Sequence, residues 1–198
     1  MAVNAEKEAR RKAEIIGSAC ALFASRGYRE TTMQDIAEAA GYSKGGVYYY
    51  FASKEEILFE IHERFINEGL RRIREVEARY GDPEERFVKL IETHLEIIRD
   101  YKDDITLFYR YMDALSADNY ERVKRKRDEY ERVFADTVRE GVGRGVFETE
   151  HVKLGTMFIL GSLNSMHTWY NPQGDYDVRE LARIVTGLWL NGLKKRNP

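Results

Sequence analysis

The segment Thr31–Leu58 reads TTMQDIAEAAGYSKGGVYYYFASKEEIL, and it carries three closely spaced helix starts. Thr32, followed three residues later by Asp35, is a helix start: the hydroxyl accepts a free backbone N–H while the acid reaches back to the capping residue. Ile36, Ala37 and Ala40 share the inward face of the short helix that follows. Gly41 supplies a turn, Ser43 caps a second short helix, and Val47 and Phe51, four apart, are its inward contacts. Ser53 with Glu56 opens a third helix, whose Ile57, Leu58, Ile61, Phe65 and Ile66 form an apolar stripe. Gly81-Asp82-Pro83 breaks it after Tyr80.

On the N-terminal side, Ile15, Ile16, Ala19, Leu22 and Phe23 lie on one face of a first helix over 6–25, which Gly27 ends. Beyond Pro83 the pattern predicts helices near 84–101, 104–115, 118–143, 150–170 and 177–195, with Gly145 and Gly174 marking ends and Asp177 with Glu180 a last capping box. No stretch alternates at period two, and the chain has only three prolines. The expected fold class is all-α: an N-terminal three-helix helix-turn-helix domain over 1–54 and a larger helical domain over 55–198, joined through the long helix.

Length and composition allow this. The chain has 198 residues, long enough to bury a sizeable core, and its 33% charged and 43% apolar content suits a helical globular protein. The net charge of −2 gives no bulk attraction to a polyanion, but residues 1–54 carry eight basic and six acidic side chains, so the N-terminal quarter is positive and the remainder negative. Cys20, the single cysteine, falls among apolar positions of the first helix and is expected to be a buried structural thiol. No apolar N-terminal leader and no apolar run near 18 residues is present, so no membrane partner and a cytoplasmic location are expected.

The two short helices and their tight turn form a helix-turn-helix, whose second helix enters the major groove of DNA. Lys44, at its start, can reach a phosphate or a guanine edge. Gly45 and Gly46 each cost a helix about 1 kcal/mol, and close approach of the backbone to DNA is the compensation that fits. Tyr48, Tyr49 and Tyr50 span most of a turn, so they cannot all be buried, and an outward tyrosine can bond a phosphate and touch a thymine methyl. Thr31, Thr32 and Ser43 lie at helix N-termini, where hydroxyls and free N–H groups bind phosphate, and Lys54 adds charge at the next one.

This segment, with its TT-x-x-x-IA turn and YYYFASKEEIL ending, resembles the N-terminal domain of the TetR family of transcriptional regulators, and the helix lengths of the remaining chain agree. The resemblance implies a homodimer that binds a palindromic double-stranded DNA operator, represses nearby genes and releases DNA when a small hydrophobic effector enters the C-terminal domain. Carried over by position, the DNA-contacting residues would be Thr31, Thr32, Ser43, Lys44, Gly45, Tyr48, Tyr49 and Lys54. Gly45-Gly46 departs from the larger residues commoner there, which bears on which bases are read rather than on whether DNA is bound.

In the C-terminal part, Leu154, Phe158 and Gly161 on one helix and Ile184 and Leu188 on the last are the expected dimerisation residues, since family members pair these helices into a four-helix bundle. Phe108, Tyr109, Tyr111, Met112 and Trp169 are the candidate ligand-binding residues, aromatic groups with polar tips and a methionine that suit an apolar guest. The stretches GSLNSMHTWYNPQG (161–174) and REGVGRGVF (139–147) are similar to TetR-family regulators of fatty-acid and sterol catabolism, which favours an acyl-CoA or fatty-acid effector; the basic run Arg122 to Arg127 could meet CoA phosphates or be a solvated helix face. A drug or aromatic effector, and a ligand-independent module acting through a protein partner, are the alternatives. Catalysis is not expected: Glu148-x-x-His151 is the one Glu-x-x-His motif, and no phosphate loop, nucleophile elbow or cysteine pair occurs, so neither metal nor cofactor is expected.

Overall fold

The structure, a computed structural model, describes residues 2–193, with side chains over 6–191. Ten α-helices account for most of it: α1 (Ala2–Arg26), α2 (Met33–Ala40), α3 (Lys44–Tyr50), α4 (Lys54–Arg79), α5 (Pro83–Asp100), α6 (Lys102–Tyr111), α7 (Ala117–Gly143), α8 (Val152–Asn164), α9 (Met166–Trp169) and α10 (Val178–Leu193), with a 3-10 turn at Met112–Ala114. No strand occurs among the described residues. The expected continuation of the last helix to 195, and the side chains of Gly192 and Leu193, lie outside the described residues.

The helix ends follow local chemistry. Asp82 accepts the Glu85 N–H, Pro83 opens α5, Glu84 and Glu85 fill its first turn and Arg99 its last, each matched to the helix dipole. At Thr32 the capping box closes in both directions. The Ser53 hydroxyl accepts the Glu56 N–H, but the Glu56 carboxylate takes the Ala52 N–H rather than that of Ser53, so the return bond falls one residue earlier than expected.

Two departures have local causes. The helix expected over 104–115 begins at Lys102 and tightens to 3-10 geometry after Tyr111. The one expected over 150–170 is broken at Ser165 into α8 and α9: Ser162, Ser165 and Thr168 each turn their hydroxyl back onto a carbonyl three residues earlier, competing with the helical ladder.

The chain forms two compact units, Met1–Arg64 with Asp104–Val123 and Phe65–Asp103 with Lys124–Pro198. This differs from a division at residue 54. The first unit takes in part of α4 and the segment from α6 to the start of α7. The reason is non-local bonding: the Tyr111 hydroxyl donates to the Phe23 carbonyl, and the Glu55 carboxylate accepts from the Ser116 N–H and hydroxyl and from Asn119. The first unit buries Ile15, Phe23, Ile36, Val47, Phe51 and Leu58, and Cys20 is half-buried there, not fully buried, with its Sγ 3.8 Å from Asp104 Oδ1. The second unit packs α10, α8 and α9 against α5 around Phe87, Leu90, Phe134 and Leu163. No helix among the described residues is long and apolar enough to cross a membrane.

Candidate nucleic-acid interface

The helix-turn-helix is built from short-range bonds. Gly41 ends α2 in the left-handed region (φ 73°), and its N–H and that of Tyr42 return to the last carbonyls of that helix. Ser43 caps α3 by accepting the Gly46 N–H at 3.1 Å. Val47 and Phe51 are buried, which fixes the rotation of α3 about its axis. Lys44, Gly45, Tyr48 and Tyr49 are thereby left outside, Tyr48 46% exposed and Tyr49 74%. An exposed tyrosine pair beside a lysine, on a helix whose other face is the core, offers hydroxyl donors, ring edges and one cation to a groove.

The surroundings of Gly45 bear on its role. A Cβ there would meet nothing within 4 Å, so the fold itself does not require glycine at this position. The two hydroxyl caps, Thr32 and Ser43, are exposed at the starts of α2 and α3. The Thr32 hydroxyl is also 2.6 Å from Asp35 Oδ2, and this contact with the Thr32 hydroxyl and N–H holds the Asp35 carboxyl below its ordinary value.

Two expected contacts are placed differently. Thr31 is buried, and its hydroxyl donates to the Gly27 carbonyl at 2.8 Å, so the side chain closes the loop after α1 instead of facing outward. Lys54 sends its ammonium to the carbonyls of Tyr28 (2.6 Å), Thr31 (2.7 Å) and Arg29 (3.3 Å), and lies 4.4 Å from the centre of the Tyr28 ring. Partial burial lowers the Lys54 pKa. That ammonium bolts the loop between α1 and α2 to the start of α4, which a linear reading of charge could not reveal.

The sequence reading missed a cleft beside α3. Lys7, Glu8 and Arg11 of α1, with Tyr42, Gly46, Tyr49 and Tyr50, line a depression of about 320 Å³. Arg11 donates to the Tyr50 hydroxyl at 3.4 Å, the main cause of its raised pKa. Tyr42 donates to Glu14 at 2.7 Å, and that bond is the main cause of the lowered Glu14 pKa. The signal was present: Lys7 and Arg11 are four apart, on one helix face.

The residues expected to bind ligand fall in both units. Phe108 is fully buried with its ring 4.7 Å from that of His62, and Tyr109 packs edge-on beside it. The Tyr111 ring lies 5.6 Å from that of Tyr28, tilted by 30°, and its hydroxyl bonds α1, so it braces the first unit, and Met112 is half-buried in the 3-10 turn. Trp169 belongs to the second unit, where it lines a cleft of about 400 Å³ between α5, α8–α9 and α10 whose walls carry no charged side chain. A stripe of aromatics on α6 does not reveal which helix receives each ring. Leu154, Phe158, Ile184 and Leu188 are exposed on α8 and α10, Phe158 at 69% and Leu188 at 70%, with Gly161 also at the surface. Among the described residues, no three His, Cys, Asp or Glu side chains gather as a metal-ligand group.

Two family models match the chain: bacterial regulatory proteins of the tetR family over residues 15–61, and the tetracyclin repressor-like C-terminal domain over 80–193. The HTH-type transcriptional repressor KstR2 of Mycobacterium tuberculosis is 27% identical over 187 residues, covering 93% of this chain and 94% of its own. The structure of that ketosteroid transcriptional regulator superposes with a TM-score of 0.82 over 94% of this chain and 96% of that one. The TetR family transcriptional regulator PfmR from Thermus thermophilus is 31% identical, with a TM-score of 0.82 over 91% of this chain and 99% of that one. The fatty acid metabolism regulator protein of Bacillus subtilis is 22% identical over 92% of this chain and 95% of its own.

Proposed function

The chain belongs to the TetR family of transcriptional regulators, and on that premise we propose that it is a homodimeric repressor that leaves a palindromic operator when a small apolar effector binds, an acyl-CoA or fatty-acid type being favoured. The observation that carries the DNA half of this reading is the rotation of α3, with Val47 and Phe51 in the core and Lys44, Gly45, Tyr48 and Tyr49 outside. These four are the proposed groove contacts. Thr32 and Ser43 take adjacent phosphates at their helix starts, and Lys7 and Arg11 extend the phosphate contacts from α1. Thr31 and Lys54 support the interface from behind.

The exposed apolar groups of α8 and α10, which a lone subunit would leave in water, support the dimer. A homodimer paired through Leu154, Phe158, Gly161, Ile184 and Leu188 carries two recognition helices, and a palindromic operator offers two half-sites in successive major grooves, about 34–36 Å apart. The effector half rests on the uncharged cleft of the second unit and on the names of two relatives, a ketosteroid regulator and a fatty acid metabolism regulator. An effector that prefers the conformation with misaligned recognition helices lowers operator affinity by the ratio of its affinities for the two states.

The test is fluorescence anisotropy of the full-length protein on DNA from upstream of its own gene, titrated with acyl-CoA thioesters of increasing chain length. Release by one chain-length class supports the acyl reading. Operator binding that no thioester disturbs removes it and directs the search to drug-like and aromatic effectors.

A further inference from the structure

α3 carries the sequence KGGVYYY, and four of its residues are exposed: Lys44, Gly45, Tyr48 and Tyr49. The chemistry of this set limits what it reads. It holds no Asn or Gln to pair with an adenine edge, and no Asp or Glu to accept from cytosine N4. The Lys44 ammonium donates and cannot accept, and guanine offers the major groove two acceptors, O6 and N7. A tyrosine ring offers apolar contact, which the thymine methyl meets.

The exposed groups fall into two sets. Lys44 and Tyr48, four apart on one side of α3, belong together: the ammonium lies 6.0 Å from the centre of the Tyr48 ring. Gly45 puts no side chain beside them. A Cβ there would meet nothing within 4 Å, whereas one at Gly46 would stand 3.2 Å from the Ser43 Oγ that caps the helix. Gly46 therefore serves the cap, and Gly45 leaves the outer face bare. Tyr49 keeps other company. With Lys7, Glu8 and Arg11 of α1 it lines the depression beside α3, whose wall includes neither Lys44 nor Tyr48. Its ring packs edge-on against Tyr50, whose hydroxyl accepts from Arg11. Two cations against one acid, beside a tyrosine hydroxyl, suit a phosphate, which carries no sequence information.

We propose that α3 divides its contacts: Lys44 and Tyr48 read a guanine and a thymine that lie within about two base-pair steps of each other, while Tyr49 holds a flanking phosphate. The spacing follows from the 6.0 Å between ammonium and ring, set against a rise of about 3.4 Å per base pair. The ammonium keeps its charge in the groove, so Lys44 still contributes to salt dependence. This inference rests on the operator-binding reading above and names bases that each operator half-site must contain.

The experiment first maps, by nuclease protection, the site that the full-length protein covers in DNA from upstream of its own gene. That duplex is then made with uracil for thymine, which removes the C5 methyl, or with 7-deazaguanine for guanine, which removes the N7 acceptor. By anisotropy, the parent protein should bind each modified duplex about fivefold more weakly. Tyr48→Ala should be indifferent to the uracil change and keep the guanine one, and Lys44→Ala the reverse. Tyr49→Phe should weaken modified and unmodified duplexes by one common factor, and unchanged affinity in it overturns the phosphate contact. A uracil loss that persists in Tyr48→Ala, or a 7-deazaguanine loss that persists in Lys44→Ala, overturns that residue's assignment. A parent indifferent to both modifications while still protecting the site overturns the base reading alone. Absence of any protected site overturns it together with the operator reading. The modified duplexes decide the matter on the parent protein even if a variant does not fold, which circular dichroism would reveal.

Discussion

The hydroxyl of Tyr111, at the end of α6, donates to the carbonyl of Phe23 in α1 at 3.3 Å. A side chain that reads in sequence as part of a ligand pocket thereby joins α6 to the helix that braces the recognition motif. Tyr111→Phe keeps the ring on Tyr28 and deletes only this bond. Unfolding in urea should show a loss of about 0.5–1.5 kcal/mol, with effector affinity unchanged. A large drop in effector affinity at unchanged stability would return Tyr111 to the ligand site.

Gly45 separates folding from binding. Since a Cβ there meets nothing, Gly45→Ala should stabilise α3 by roughly 0.5–1 kcal/mol through helix propensity. The same methyl group should hold the backbone away from DNA and weaken operator binding. Thermal unfolding and anisotropy on one preparation check both halves, and a variant that gains stability while binding as tightly as the parent removes the close-approach account.

Lys44 and Lys54 are both lysines at helix starts, with opposite expectations. Lys44→Ala should leave helicity and melting temperature unchanged and reduce the salt dependence of operator binding by about one charge contact. Lys54→Ala strips a shared donor from three carbonyls and should cost about 1–3 kcal/mol of stability. An unaltered melting temperature in Lys54→Ala would mean that the ammonium does not hold the loop.

Glu68 gives the structure an acid-sensitive element. Bonds from Arg71 and Arg72 hold its pKa down to about 2, against an ordinary value of 4.5. A carboxyl depressed in the folded state contributes fully above its unfolded pKa and loses that contribution as pH falls through the folded one. Glu68→Gln should therefore be less stable than the parent above about pH 5, with the difference shrinking toward pH 2. A difference that stays constant across this range would show that the arginine bonds add nothing.

The helix-turn-helix was legible because its signals are local. The Thr32–Asp35 box, Gly41, Ser43 and the Val47–Phe51 spacing act within a few residues, and the structure realises each of them. The break at Ser165 was less legible, since it depends on three hydroxyls turning back together. Contacts between distant segments were not legible. Thr31, Lys54 and Tyr111 bear residue types suited to phosphate or ligand, yet each is used within the first unit.

The most direct test of the account is the affinity of the purified protein for DNA from upstream of its own gene, measured across a salt series for the parent chain and for Tyr49→Ala. Tyr49 is 74% exposed on α3, and its loss disturbs no core contact. The account predicts tight, steeply salt-dependent binding by the parent and clearly weaker binding by a variant of unchanged helicity. Equal affinity of the two proteins, or binding by the parent no tighter to its upstream DNA than to unrelated duplex, would contradict the assignment of α3 as the recognition helix.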